Sequence, residues 1–196
     1  MGRFRSSGIV VGLILLAGAL EARQTAPAKR PPAPPSTVSA DATIQEIMGT
    51  MIGPSSKIVF EAVSTVNVKG KEVQKVPRTE AEWAGVRNAA QKMIEGSKLI
   101  VMDGRHVARN LNAKGNEGEL GPREVEALLA KNRPVFIKLA REFGDVAGAA
   151  LKAAEKKDVD GVFNSAGDLD AACENCHLTF WYPDQEKLFD KQPAKK

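Results

Sequence analysis

The 196-residue sequence predicts an all-α fold, an antiparallel four-helix bundle. Three observations carry the prediction. Apolar residues recur at helical spacing in four long segments. No convincing sheet pattern accompanies them. The third and fourth segments join almost without a connector, which makes those two helices antiparallel neighbours. Packing four one-sided stripes against one another is the simplest way to take them out of water. The composition agrees, with 43% apolar residues for a core and abundant helix formers.

The first segment runs from about Asp41 to Ser64. Its predicted face is Ile44, Ile47, Met48, Met51, Ser55, Ile58, Val59 and Ala62, continuing to Val66. Pro54 lacks an N–H and its ring clashes with the carbonyl of Thr50, so the helix is expected to kink or restart at Gly53-Pro54. The second segment runs from Thr79 to about Met102. Thr79 is its N-cap and Glu82, three residues on, completes a capping box. Its face is Trp83, Val86, Ala90, Met93, Ser97 and Ile100. A short helical piece, Pro122 to Lys131, precedes the third segment, about Arg133 to Lys157. That segment's stripe includes Phe136, Leu139, Ala140, Phe143, Ala147, Ala150, Leu151 and Ala154. The fourth runs from Asp158 to about Trp181, with Val159, Val162, Phe163, Ala166, Leu169, Cys173, Cys176, His177 and Phe180 on one face. Pro183 ends it.

The connections differ in kind. The alternating valines around Lys69-Gly70, within Val66 to Arg78, suit a small hairpin or a loop equally. Asp103 to Pro122, rich in glycine and asparagine, reads as a long surface loop.

The N-terminus has the layout of a cleaved export signal. Arg3 and Arg5 precede an uncharged apolar run, Gly8 to Leu20, which ends with the small residues Ala17-Gly18-Ala19 as a cleavage pattern. The run is shorter than the ~20 residues that span a bilayer. No cysteine follows it, so no lipoprotein anchor is predicted. The Pro- and Ala-rich stretch behind it cannot build a core. The expected organisation is a signal peptide over 1–22, a linker over 23–40, the helical domain over 41–190 and a basic tail over 191–196. The membrane is thus met only through the cleaved signal. The formal charge of +4 is spread thinly, below the density of a nucleic-acid binder, so nucleic acid is not an expected partner.

The two cysteines of the chain lie together, in Cys173-Glu174-Asn175-Cys176-His177. This is C-x-x-C-H, the pattern of covalent haem attachment. On a helix, positions i and i+3 put both sulfurs on one side, where each can add to a haem vinyl group. His177, four residues after Cys173, shares that face and is placed to bind the iron. A thioredoxin-like pair requires a helix N-terminus in a βαβ setting, and these cysteines come late in a helix. A zinc site requires four ligands as a rule, and this cluster supplies three. The other histidine, His106, sits in the polar loop and reads as solvated. A plain disulfide leaves His177 unexplained. Haem attachment uses all three residues. Phe180 is expected against the bound ring, with Trp181 sealing the end of the bundle.

With the motif near the end of the last helix of a four-helix chain, the sequence resembles the class II c-type cytochromes, the cytochrome c prime group. Beyond the motif, VFNSAGDLDAACENCHLTFWYP resembles the last helix of a bacterial periplasmic subgroup. IMGTMIGPSSKIVF and RTEAEWAGVRNAAQKMIEGSKLIVM resemble its first two helices. The resemblance covers about Asp41 to Pro183. It implies one covalent haem c, anchored by Cys173 and Cys176, with His177 as proximal iron ligand. It implies an exported periplasmic protein, not an enzyme, that passes single electrons to an unidentified redox partner protein or else binds a gas. It also allows a homodimer through the first two helices. The chain departs from many members in carrying Trp181 where they carry a basic residue, and in a longer Asp103 to Pro122 loop.

The opposite side of the iron admits two arrangements. It is open, as in a five-coordinate protein that binds nitric oxide or carbon monoxide, or a methionine of the first helix fills it. A thioether raises the reduction potential, which suits electron transfer. Met48 and Met51 are the candidates, although methionine on an apolar stripe commonly only fills space. The resembling subgroup commonly carries a methionine six residues before the proline, which makes Met48 the expected distal ligand and Met51 a pocket residue. A haem-free helical interaction bundle with a Cys173–Cys176 disulfide is the alternative of another class. Lys69, Lys71 and Lys75 form a basic run that reads as a solvated face or as a patch for an acidic partner.

Overall fold

The structure, a computed structural model, describes Ser39, residues 41–183 and Gln185. The predicted signal peptide, almost all of the linker, and the basic tail lie outside the described residues. The chain is mostly helical, with one small two-stranded sheet. Among the described residues, no helix is long and apolar enough to cross a membrane.

The first predicted segment is three pieces. Helix α1 spans Ile44–Ile47, a π-helical turn spans Met48–Ile52, and α2 spans Gly53–Ala62. Thr43 caps α1: its hydroxyl accepts from the Glu46 N–H (3.2 Å), and the Glu46 carboxylate accepts from the Thr43 N–H (2.8 Å). The π turn is how the chain passes Pro54. The Gly53 N–H reaches back five residues to the Met48 carbonyl, so the ring enters a widened turn rather than breaking the helix. A Cβ on Gly53 would stand 2.9 Å from the Met48 carbonyl oxygen, so this turn requires glycine there.

The predicted face of α2 holds at Ser55 and Val59, which are buried, and needs correction at its edges. Ile52 and Val63 are also buried, whereas Ile58 is exposed and Ala62 only half-buried. Val66 is not helical at all. It lies in β1 (Ser64–Val68), which pairs antiparallel with β2 (Lys71–Lys75). Lys69 and Gly70 make the turn with φ of 53° and 81°, the left-handed pair that a two-residue hairpin favours.

Helix α3 spans Glu80–Leu99 and has the expected capping box, Thr79 with Glu82. All six residues of its predicted face are buried. Met102, the predicted end, lies beyond the helix and is exposed. The short helix α4 spans Pro122–Lys131 and α5 spans Arg133–Lys156. On α5, Phe136, Ala140, Phe143, Ala147, Ala150 and Ala154 are buried, with Leu139 and Leu151 packed at the margin. Lys157 in left-handed backbone and Asp158 are the whole link to α6, Val159–Phe180. Asp158 caps α6 by accepting from the Gly161 N–H (2.9 Å). Helix α3 packs on α5 and α2, α5 on α6, and α2 on α6. Small residues allow the close approaches: a Cβ on Gly96 would meet Ile52 of the π turn, and one on Gly144 would meet Ser97.

Two further expectations need correction. Phe163 is 58% exposed. The buried line of α6 is Val162, Ser165, Leu169, Cys176 and Phe180, and Phe163 lies one residue, about 100°, to its side. The segment after α3 is not wholly a surface loop. Val107 and Ala108 are in the core, and the carbonyls of His106 and Val107 accept from the N–H groups of Ile44 and Gln45, both at 3.0 Å. Arg105 donates to the Ala42 carbonyl, and Arg109 forks onto Glu46. The loop thereby holds the start of α1 in place.

Candidate functional site

Cys173, Cys176 and His177 occupy the last turns of α6, as the motif spacing requires. Cys176 is buried and Cys173 half-buried, and both are free thiols. Burial pushes both thiols up. Cys173 reaches about 11, with Asp170 and Glu174 adding to the effect, and Cys176 reaches about 12. Such thiols stay protonated at neutral pH. His177 is shifted the other way: burial lowers its pKa against the opposing pull of Glu174 and Glu119. Burial thus favours the neutral ring, the form in which an imidazole binds a metal.

The helix end is built around this histidine. The His177 carbonyl accepts from the N–H groups of Trp181 (2.7 Å) and Tyr182 (3.0 Å), which closes α6. The Trp181 ring stands 6.2 Å from the His177 ring at 62°, and the Tyr182 ring 5.7 Å away at 57°. Tyr182 donates its hydroxyl to Glu174 (3.1 Å), one residue after Cys173. Burial and that carboxylate push the phenol up to about 12. The Leu120 N–H donates to the Trp181 carbonyl (2.8 Å), so the loop before α4 clasps the end of α6. Phe180 is fully buried, edge-on to Phe136 of α5 with centroids 5.6 Å apart.

The remaining predicted residues lie on other elements. Met48 and Met51 are both in the π turn, Met51 in the core and Met48 half-buried against it. His106 is exposed and bonds through Nδ1 to Glu126 (3.1 Å). Sequence reasoning missed the Tyr182–Glu174 bond and the Leu120 clasp. The first joins residues eight apart across a helix end, and the second joins residues sixty-one apart, so neither leaves a local pattern. Among the described residues, no group of three or more His, Cys, Asp or Glu side chains is gathered to hold a metal ion.

Compared with known protein families, curated proteins and solved structures, the chain finds no match.

Proposed function

We propose that the protein is an exported monohaem c-type cytochrome, an antiparallel four-helix bundle that passes single electrons to a redox partner protein. The observation that carries the reading is C-x-x-C-H on the last turns of α6, in a chain of packed helices, with His177 half-buried beside the two cysteines. The closed cycle of contacts through α2, α3, α5 and α6 supports the bundle. The donor set fits the group. A haem iron takes four nitrogens from its own ring, so one imidazole and two thioether anchors suffice where a bare metal ion would require more protein ligands. The raised thiols, late in a helix, do not suit a thioredoxin-like nucleophile, which works as a thiolate.

Cys173 and Cys176 would hold the haem covalently and His177 would bind its iron. Bound there, the haem supplies a one-electron iron couple. The chain's own part is to fix the imidazole and exclude water. The Trp181 and Tyr182 rings confine His177, and Phe180 on Phe136 anchors the turn that carries it. For the distal ligand the half-buried Met48 is favoured over Met51. Met51 is spent on core packing, while Met48 keeps part of its surface uncovered, in a π turn of the kind frequent at functional sites.

The experiment is expression with export and c-type maturation. The expected product is red, keeps its colour through acid–acetone extraction, and loses it in Cys173→Ala with Cys176→Ala. A low-spin ferric spectrum with a methionine–iron charge-transfer band is expected, and Met48→Ala should abolish the band. A colourless protein with a Cys173–Cys176 disulfide would overturn the reading. A high-spin spectrum responsive to nitric oxide would replace electron transfer by gas binding.

A further inference from the structure

The hairpin of β1 and β2 stands apart from the helices: its strands pack on each other and make only marginal contact elsewhere. Both its faces are open, and Val66, Val68 and Val73 are 40%, 49% and 42% exposed. The register sorts its side chains into two unlike faces, because cross-strand partners share a face and neighbours along a strand do not. Val66 pairs with Val73, Val68 with Lys71, and Ser64 with Lys75. That face therefore holds all three valines and two lysines, and no carboxylate. Glu72, the hairpin's one acid, faces the other way with Asn67, Thr65 and Gln74. An isolated two-stranded hairpin is marginal in water, and this one displays an apolar strip. Among the described residues, β1 is the sole sheet neighbour of β2, which leaves the outer edge of β2 free to hydrogen-bond.

We propose that the outer edge of β2 is a docking site for an extended acidic segment of a partner protein, which adds as a third strand. Strand addition draws affinity from main-chain hydrogen bonds and specificity from alternate side chains. Lys71, Val73 and Lys75 alternate along one face of β2, so the strand laid beside them presents acid, apolar and acid at every second residue. A second copy of this chain would set lysine against lysine, and edge lysines are a known device against such pairing. An anionic membrane would match the charge but leave the strand edge unpaired. Membrane-surface elements also display Trp, Phe and Leu rather than valine. The inference is independent of the haem reading.

The test uses the full chain, isotope-labelled, titrated with the peptide Thr-Glu-Thr-Val-Thr-Glu-Thr while backbone amide shifts and exchange are followed. Binding is expected to slow exchange at β2 and to weaken with salt. The double variant Lys71→Glu, Lys75→Glu should lose about tenfold in affinity, two cross-strand attractions having become repulsions. It should gain binding to the mirror peptide Thr-Lys-Thr-Val-Thr-Lys-Thr, a rescue that an unfolded hairpin cannot give. Gln74→Glu, on the opposite face, should leave the first peptide bound. The proposal is overturned if the acidic peptide does not bind, or if the double variant binds it unchanged. It is equally overturned if the hairpin instead mediates self-association, or binds phosphatidylglycerol vesicles in preference to the peptide.

Discussion

Gly53→Ala tests whether the chain passes Pro54 through a π turn, because the sign of its effect depends on that turn. In the interior of an ordinary α-helix, exchanging glycine for alanine gains up to about 1 kcal/mol. Here the added Cβ would stand 2.9 Å from the Met48 carbonyl oxygen, closer than side chains are found to approach, and the obstacle is backbone that cannot rotate aside. Moving it costs local strain of roughly 1–3 kcal/mol. Set against the full propensity gain, the net expectation is a loss of up to about 2 kcal/mol, or some 2–4 °C in Tm per kcal/mol for a domain of this size. Gly49→Ala is the matched control. It lies in the same turn with nothing within 4 Å of the added carbon, and it should gain up to about 1 kcal/mol. Urea and thermal unfolding followed by circular dichroism at 222 nm give both numbers. If Gly53→Ala stabilises the protein as Gly49→Ala does, the π turn is wrong. Because the displaced carbonyl belongs to Met48, the proposed haem reading adds that Gly53→Ala should weaken the methionine–iron band expected there.

Phe180→Ala removes a fully buried ring and its edge-on contact with Phe136, and should cost about 3–5 kcal/mol by urea unfolding. Phe163→Ser, on the same helix but exposed, should stay within about 0.5 kcal/mol by the same measurement. The Glu46 carboxyl is held below its ordinary value of 4.5, first by the hydrogen bond from Arg109 and then by the Thr43 N–H. A carboxylate with a lowered folded-state pKa adds stability above that ordinary value and loses it as the pH falls through the folded one. Glu46→Gln should therefore lower the urea midpoint at pH 7, and the gap from the unmodified protein should close as pH falls below 4.5.

Much of the helical architecture was legible in the sequence because helices are written locally. The apolar stripes of α3 and α5 follow from the 3.6-residue period, and the buried residues match the predicted ones nearly throughout. The Thr79 and Glu82 capping box follows from their spacing, as does the placement of Cys173, Cys176 and His177 on the final turns of one helix. The environment of His177 was only half legible. Trp181 and Tyr182 could be read as its neighbours along the chain. The clasp by Leu120 could not, since it depends on where a distant loop returns.

The sequence by itself determined where the helices lie, what caps α3, and which helix carries the cysteines and histidine, all of which depend on residues within about four positions of one another. Tertiary structure decided the rest. Pro54 announced a disturbance, but how the chain passes it depends on a π turn that sits against Gly96 of α3. It exposed Phe163, because α6 packs through a narrower line than its apolar residues cover. It drew Val107 and Ala108 out of a polar loop into the core, where the same loop supplies carbonyls to the first N–H groups of α1. It also set the valine hairpin apart from the helices, with its two faces unlike in charge. Periodicity describes a helix's own faces, and only the neighbours that remove a face from water decide which one is buried.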